Sequence, residues 1–141
     1  MEQIFKMIWS AEEFVRLRIS DRPEEYRRSV LEEASEEVWI DIIQHYPEMK
    51  IWVIRNKTIP LSILRLLSND SDNHVRGEVA MKRKLDNELF EKLAHDEDEA
   101  VRAHIACNRK TPIEILILLS TDAKKIVRDA AQKRLNMDGG N

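Results

Sequence analysis

Apolar residues recur along much of the chain in clusters separated by charged turns, and the clusters repeat. Ile63, Leu64 and Leu67 lie at the spacing of one helix face. Leu89, Phe90 and Leu93 follow, then Ile115, Leu116 and Leu119, each set displaced by 26 residues. A second apolar pair keeps the same register: Val75 and Val79, Val101 and Ile105, Val127 and Ala131. Polar positions are equally regular. Asp70, Asp96 and Asp122 match, as do Arg76, Arg102 and Arg128, and Pro60, Asp86 and Pro112 share one further position.

Each 26-residue unit predicts two short helices. Pro60 and Pro112 suit a first helical turn, where the missing N–H has no intrahelical partner to lose. Asp86 suits a cap at the same place. An acidic turn follows, as in Asp96-Glu97-Asp98-Glu99, and then a second helix that begins near the Val-Arg pair. That helix ends in a basic, Asn-containing turn such as Asn108-Arg109-Lys110. A helix pair this small cannot bury its apolar stripe alone, so the units are expected to stack around a continuous core. One unit earlier, residues 36–56 read as a degenerate copy with Ser35 as a candidate N-cap. Two more helices are expected ahead of it, one starting at Ser10 with Glu13 in a capping-box pattern and one at Pro23.

The unit resembles the HEAT-like repeats and, within them, the variant leucine-rich repeat of bacterial proteins. The resemblance rests on Asp70/Arg76, Asp96/Arg102 and Asp122/Arg128, on the Val before each Arg, and on the Asn-x-Lys-x-Pro junctions at Asn56 to Pro60 and Asn108 to Pro112. It implies an all-α fold: a right-handed α-α superhelix (an ARM/HEAT-like solenoid) of about four helix pairs. Residues 1–35 would form an N-terminal helical cap, 36–135 the repeats and 136–141 a flexible tail, in one structural domain. Some variant leucine-rich repeat proteins carry an N-terminal cysteine cluster for iron–sulfur. Those cysteines are missing here, so no cofactor is carried over.

Composition narrows the picture further. The 141 residues are 43% hydrophobic and 35% charged with net charge -3, which fits a folded domain better than a disordered chain. Only 3 glycines and 4 prolines are present, which excludes collagen-like and turn-rich all-β chains. The single cysteine, Cys107, excludes an internal disulfide and points to a reducing cytoplasm. The first residues make a poor secretory signal. The longest apolar run, Ile115 to Leu119, is far below the roughly 20 residues of a membrane span.

Three sets of residues are candidates for function. The ladder of Asp70, Arg76, Asp96, Arg102, Asp122 and Arg128 reads either as a charged binding stripe or as a structural device. In the structural reading each Asp caps a second helix and accepts from an Arg of the same or the next repeat. The basic turns, with Lys57, Arg83, Lys84, Arg109 and Lys110, read either as helix-dipole partners or as an edge for an acidic protein or a phosphate backbone. The third set follows from the resemblance, which places partner binding on the second helices. There Trp52, Glu78 and His104 are equivalent, as are Arg55, Met81 and Cys107. Cys107 reads as a semi-buried apolar residue, and His104 with Cys107 falls short of a metal site. Phe5, Trp9 and Phe14 read as a seal on the solenoid end or as a docking patch.

The expected function is a non-catalytic protein interaction module with no cofactor and no metal, monomeric or weakly self-associating. Nucleic-acid binding along the basic edge is the alternative. A HEAT-like enzyme of the DNA glycosylase type stands third, since no nucleophile elbow, phosphate loop or paired carboxylates outside the capping turns occur.

Overall fold

The structure is a computed structural model, described here for residues 7–139. Among the described residues it is mostly helical, with ten α-helices and two strands of two residues each. Contacts divide the chain into two compact units, Met1–Ile63 and Leu64–Asn141. The expected cap, residues 1–35, and the first of the expected repeats, residues 36–56, both fall in the first of these units. Residues 36–56 belong with the helices ahead of them for a physical reason, given below.

The first unit holds β1 (Met7–Ile8), α1 (Ala11–Ile19), α2 (Pro23–Leu31), β2 (Glu33–Ala34), α3 (Glu36–His45), a 3-10 turn (Pro47–Met49) and α4 (Lys50–Arg55). Ser10 caps α1 by accepting from the Glu13 amide at 3.0 Å, and the Glu13 carboxylate accepts from the Trp9 amide at 2.8 Å. Ser35 caps α3 in the same way. The strands pair in parallel, Met7 opposite Glu33 and Ile8 opposite Ala34, an element the helical pattern does not predict. Phe14 meets Trp39 edge to face, with ring centroids 5.6 Å apart and both side chains fully buried. Trp9 instead stands 74% exposed, and Phe5 lies outside the described residues.

Asn56 ties this unit together. Its side-chain amide donates to the carbonyls of Ser29 (2.9 Å) and Glu32 (3.0 Å), and its own oxygen accepts from the Thr58 amide at 2.8 Å. The Lys57 amide adds a bond to the Val30 carbonyl at 2.7 Å. Backbone carbonyls at the end of α2 thus find their partners on Asn56 and Lys57, just after α4, which ties α4 to α2.

The second unit contains α6 (Asn73–Ala80), α7 (Asn87–Ala94), α8 (Glu99–Cys107), α9 (Ile113–Leu119) and α10 (Lys125–Gly139); the division between units falls inside α5 (Leu61–Leu67). The second helices pack in sequence, α6 on α8 and α8 on α10, while α7 packs on α9. The periodic apolar positions are the core: Leu64, Phe90, Leu116, Val75, Val101 and Val127 are all buried. Asn108 repeats the Asn56 device. Its amide donates to the carbonyls of Ala80 (2.8 Å) and Lys82 (2.7 Å), and its oxygen accepts from the Lys110 amide. The last helix, α10, runs to Gly139, and residues 140–141 of the expected tail lie outside the described residues.

The ladder departs from expectation in an instructive way. The caps of α6 and α8 are Asp72 and Asp98, two residues beyond Asp70 and Asp96. Asp70, Asp96 and Asp122 each accept instead from the amide two residues on, at 2.9 Å, which closes the acidic turn. Arg76 then grips Asp96 with two bonds of 2.8 and 3.1 Å and donates to the Asp70 carbonyl at 2.8 Å. Arg102 repeats this on Asp122 and on the Asp96 carbonyl, with the same three distances. Arg128 donates to the Asp122 carbonyl at 2.9 Å. Each arginine therefore holds its own turn through a carbonyl and, for Arg76 and Arg102, the next turn through a carboxylate.

Burial gives these clamps their weight. Arg76 and Asp96 side chains are 11% and 8% exposed, against 69% and 65% for Arg22 and Glu24. Exposed pairs contribute about 0–1 kcal/mol, whereas removing one partner of a buried pair costs about 3–5 kcal/mol. We therefore expect Arg102→Ala to lower stability by about 3 kcal/mol in urea titration, and Arg22→Ala by less than about 0.5 kcal/mol. Equal effects would show that the clamp is a surface pair.

The same clamp sets a pH dependence. The hydrogen bond from Arg102, more than any other contact, holds the Asp122 carboxyl below its ordinary value of 3.8, against the opposing effect of burial. A carboxyl depressed in the folded state gives stability that is complete above the unfolded value and lost as pH falls through the folded one. Stability should drop on acidification below about pH 4. Asp122→Asn should flatten that slope in denaturation curves taken from pH 5 to pH 2, and an unchanged slope would contradict the assignment.

Candidate functional site

The second helices α6 and α8 end in basic turns at equivalent positions of successive repeats. Met81 and Cys107 match, and Arg83 matches Arg109. Between them lies a shallow pocket of about 250 Å³ lined by Met81, Arg83, His104, Cys107, Asn108 and Arg109. The second unit thus brings Met81, His104 and Cys107 of the predicted binding face together with Arg83 and Arg109 of the predicted basic edge. Two sets that the sequence treats as alternatives share one surface.

The other predicted residues fall elsewhere. Glu78 is half-buried, one turn before Met81, and does not line the pocket. Lys84 and Lys110 are exposed in the two basic turns. Trp52, Arg55 and Lys57 belong to the first unit. There Trp52 is half-buried beneath the Arg18 guanidinium, 3.5 Å from its ring centroid, with the Arg55 guanidinium at 4.9 Å. Arg18 also lies 4.2 Å from the Tyr26 ring centroid, a double cation–π contact that helical spacing alone does not reveal.

Local structure explains the pocket. Asn108 is buried and its amide holds the end of α6, so the floor between the two helix ends is fixed. The Arg134 guanidinium donates to the Asn108 carbonyl at 2.7 Å and braces the turn from α10. Cys107, read from sequence as semi-buried, is exposed and forms part of the wall, because it lies at the last turn of α8 on the side away from Ile105 and Ala106. Met81 is 44% exposed for the corresponding reason at the end of α6.

Gly77 places the imidazole. It is buried inside α6, where glycine costs about 1 kcal/mol relative to alanine. A Cβ there would stand 3.1 Å from His104 Cδ2 and 3.7 Å from Nε2. The equivalent positions carry Ala103 and Asp129, whereas at Gly77 no Cβ stands between the helix backbone and the ring. The isolated glycine inside the repeats was the available signal, although its meaning required the neighbouring helix.

The ladder residues line two further clefts, of about 500 and 480 Å³, on the acidic turns. Their guanidinium groups, Arg76 and Arg102, are already held by Asp96 and Asp122. A depression bounded by Asp129, Gln132, Lys133, Asn136 and Met137 lies along α10 alone. Among the described residues no group of three His, Cys, Asp or Glu side chains is arranged to hold a metal ion.

Gly77→Ala offers a clean probe of this geometry. Helix propensity gained and the ring displaced act in opposite directions, so stability should change by less than about 1 kcal/mol. The His104 ring signals should shift in proton–carbon NMR spectra. A large stability loss with an unmoved His104 signal would contradict the packing described.

Compared with protein-family models, with curated proteins and with solved structures, the chain matches none of them.

Proposed function

We propose that this chain is a non-catalytic repeat scaffold of the HEAT-like or variant leucine-rich type. In this reading its helix pairs form a short α-α superhelix, and its second-helix face captures a protein partner. The observation that carries the reading is the pocket between α6 and α8, which joins exposed Met81 and Cys107 to Arg83, Arg109 and His104. Exposed sulfur side chains beside arginines are the composition expected of an interaction surface, where Met and Arg are enriched. The pocket floor is fixed by Asn108, so binding requires little ordering of the protein.

Four aspartates of the second unit are engaged in caps and clamps: Asp86, Asp96, Asp98 and Asp122 all accept from named donors. No helix among the described residues is long and apolar enough to cross a membrane. The exposed free thiol of Cys107 suits a reducing compartment, which supports a cytoplasmic setting. Nucleic-acid binding by the basic turns remains the second reading, favoured by the exposure of Arg83, Lys84, Arg109 and Lys110.

Affinity capture from native lysate tests the scaffold reading. Proteins retained by the unmodified chain should be lost with the double variant Met81→Glu, Cys107→Glu and kept with Glu88→Lys on α7. If the double variant retains them all, the second-helix face is not the binding surface. Binding of a fluorescent DNA duplex that weakens steeply with salt would instead favour the second reading.

A further inference from the structure

We propose that the pocket between α6 and α8 takes an extended acidic peptide, with carboxylates on Arg83 and Arg109 and an apolar side chain against Met81 and Cys107. The proposal rests on the scaffold reading and names the chemistry of its partner.

Charge complementarity is the first argument. The lining contains two arginines and an imidazole and no carboxylate. Neither Arg83 nor Arg109 forms an ion pair among the described residues, although Arg76 and Arg102 in the same unit are each clamped by an aspartate. Guanidinium groups bind carboxylates in a paired, planar fashion, so two unclamped arginines on one rim form a receptor for that group.

Shape is the second argument. At about 250 Å³ the pocket falls below the roughly 300–1,000 Å³ of sites that enclose whole small molecules. It has room for individual side chains of a chain lying across it. Met81 and Cys107 supply an apolar wall that a free anion does not need.

Spacing is the third. Arg83 and Arg109 occupy the same position in successive repeats. Packed helices lie about 8–10 Å apart, and a peptide in the extended polyproline II form advances about 3.1 Å per residue and presents the same face every third residue. Carboxylates three residues apart, about 9 Å along such a peptide, therefore match the two arginines, with one of the two residues between them apolar and lying over the sulfur-lined wall. A phosphate backbone fits less well. It requires a continuous basic track, whereas here the cations are local to a chain of net charge -3.

An arrayed library of nonapeptides of uniform composition, probed with the fluorescently labelled full chain, tests the proposal. Bound peptides should be enriched in Asp or Glu pairs spaced three residues apart and flanking Leu, Ile or Met. The single variants Arg83→Gln and Arg109→Gln should each weaken the best peptide about tenfold, the loss expected for one charged hydrogen-bonding partner. Both side chains are exposed, so the variants should remain folded, and circular dichroism checks that they do. Enrichment of basic or neutral peptides, or affinity unchanged in both variants, overturns the proposal. So does displacement of the peptide by an equal concentration of DNA duplex, which would assign the arginines to phosphates. If lysate capture is lost with Met81→Glu, Cys107→Glu while the array shows no acidic preference, the peptide proposal fails and the scaffold reading stands. If capture is also unaffected, both fail.

Discussion

The second unit depends on one repeated contact: an arginine that joins its own acidic turn to the next. Arg76 and Arg102 each make a two-bond grip on an aspartate of the following repeat and a bond to a carbonyl of their own. A short helix pair has too little apolar surface to define its neighbour's position by burial alone. The clamp adds direction, because a planar guanidinium accepts only a narrow range of carboxylate orientations. With successive turns held at one edge, Val75, Val101 and Val127 come into register inside. The opposite ends of α6 and α8 are then brought side by side, and the pocket is a consequence.

A different device works at that opposite end. Asn56 and Asn108 each place one side-chain amide on two carbonyls of the preceding helix end. Asparagine suits the task because one side chain supplies two donors and an acceptor. In the first unit this joins the end of α4 to the end of α2. The interior of this unit is aromatic where Phe14 of α1 meets Trp39 of α3.

The core and the identity of the ladder residues were legible in the sequence, since both follow from a fixed period. What the arginine binds was less so. The Asp-x5-Arg pairs leave open whether the carboxylate partner lies in the same or the adjacent repeat; Arg76 meets Asp70 through its carbonyl and meets the carboxylate of Asp96 twenty residues on. The two partners lie in phase with the same repeat, and periodicity cannot separate them. The caps shifted by two residues for a related reason: acidic turns offer several carboxylates, and backbone geometry selects Asp72 and Asp98. The pairing of Gly77 with His104 was hidden because it is a distance between helices. The exposure of Cys107 was hidden because alignment with Met81 gives the residue class and not the direction of the helix end.

A double-mutant cycle on Arg102 and Asp122 tests the central claim most directly. Stability would be measured by urea unfolding for the unmodified chain, Arg102→Ala, Asp122→Ala and the double variant. A clamp that joins the repeats predicts a coupling energy of at least about 1.5 kcal/mol between the two side chains. Additive losses, with coupling near zero, would mean that apolar burial alone positions the repeats and that the arginines are passengers.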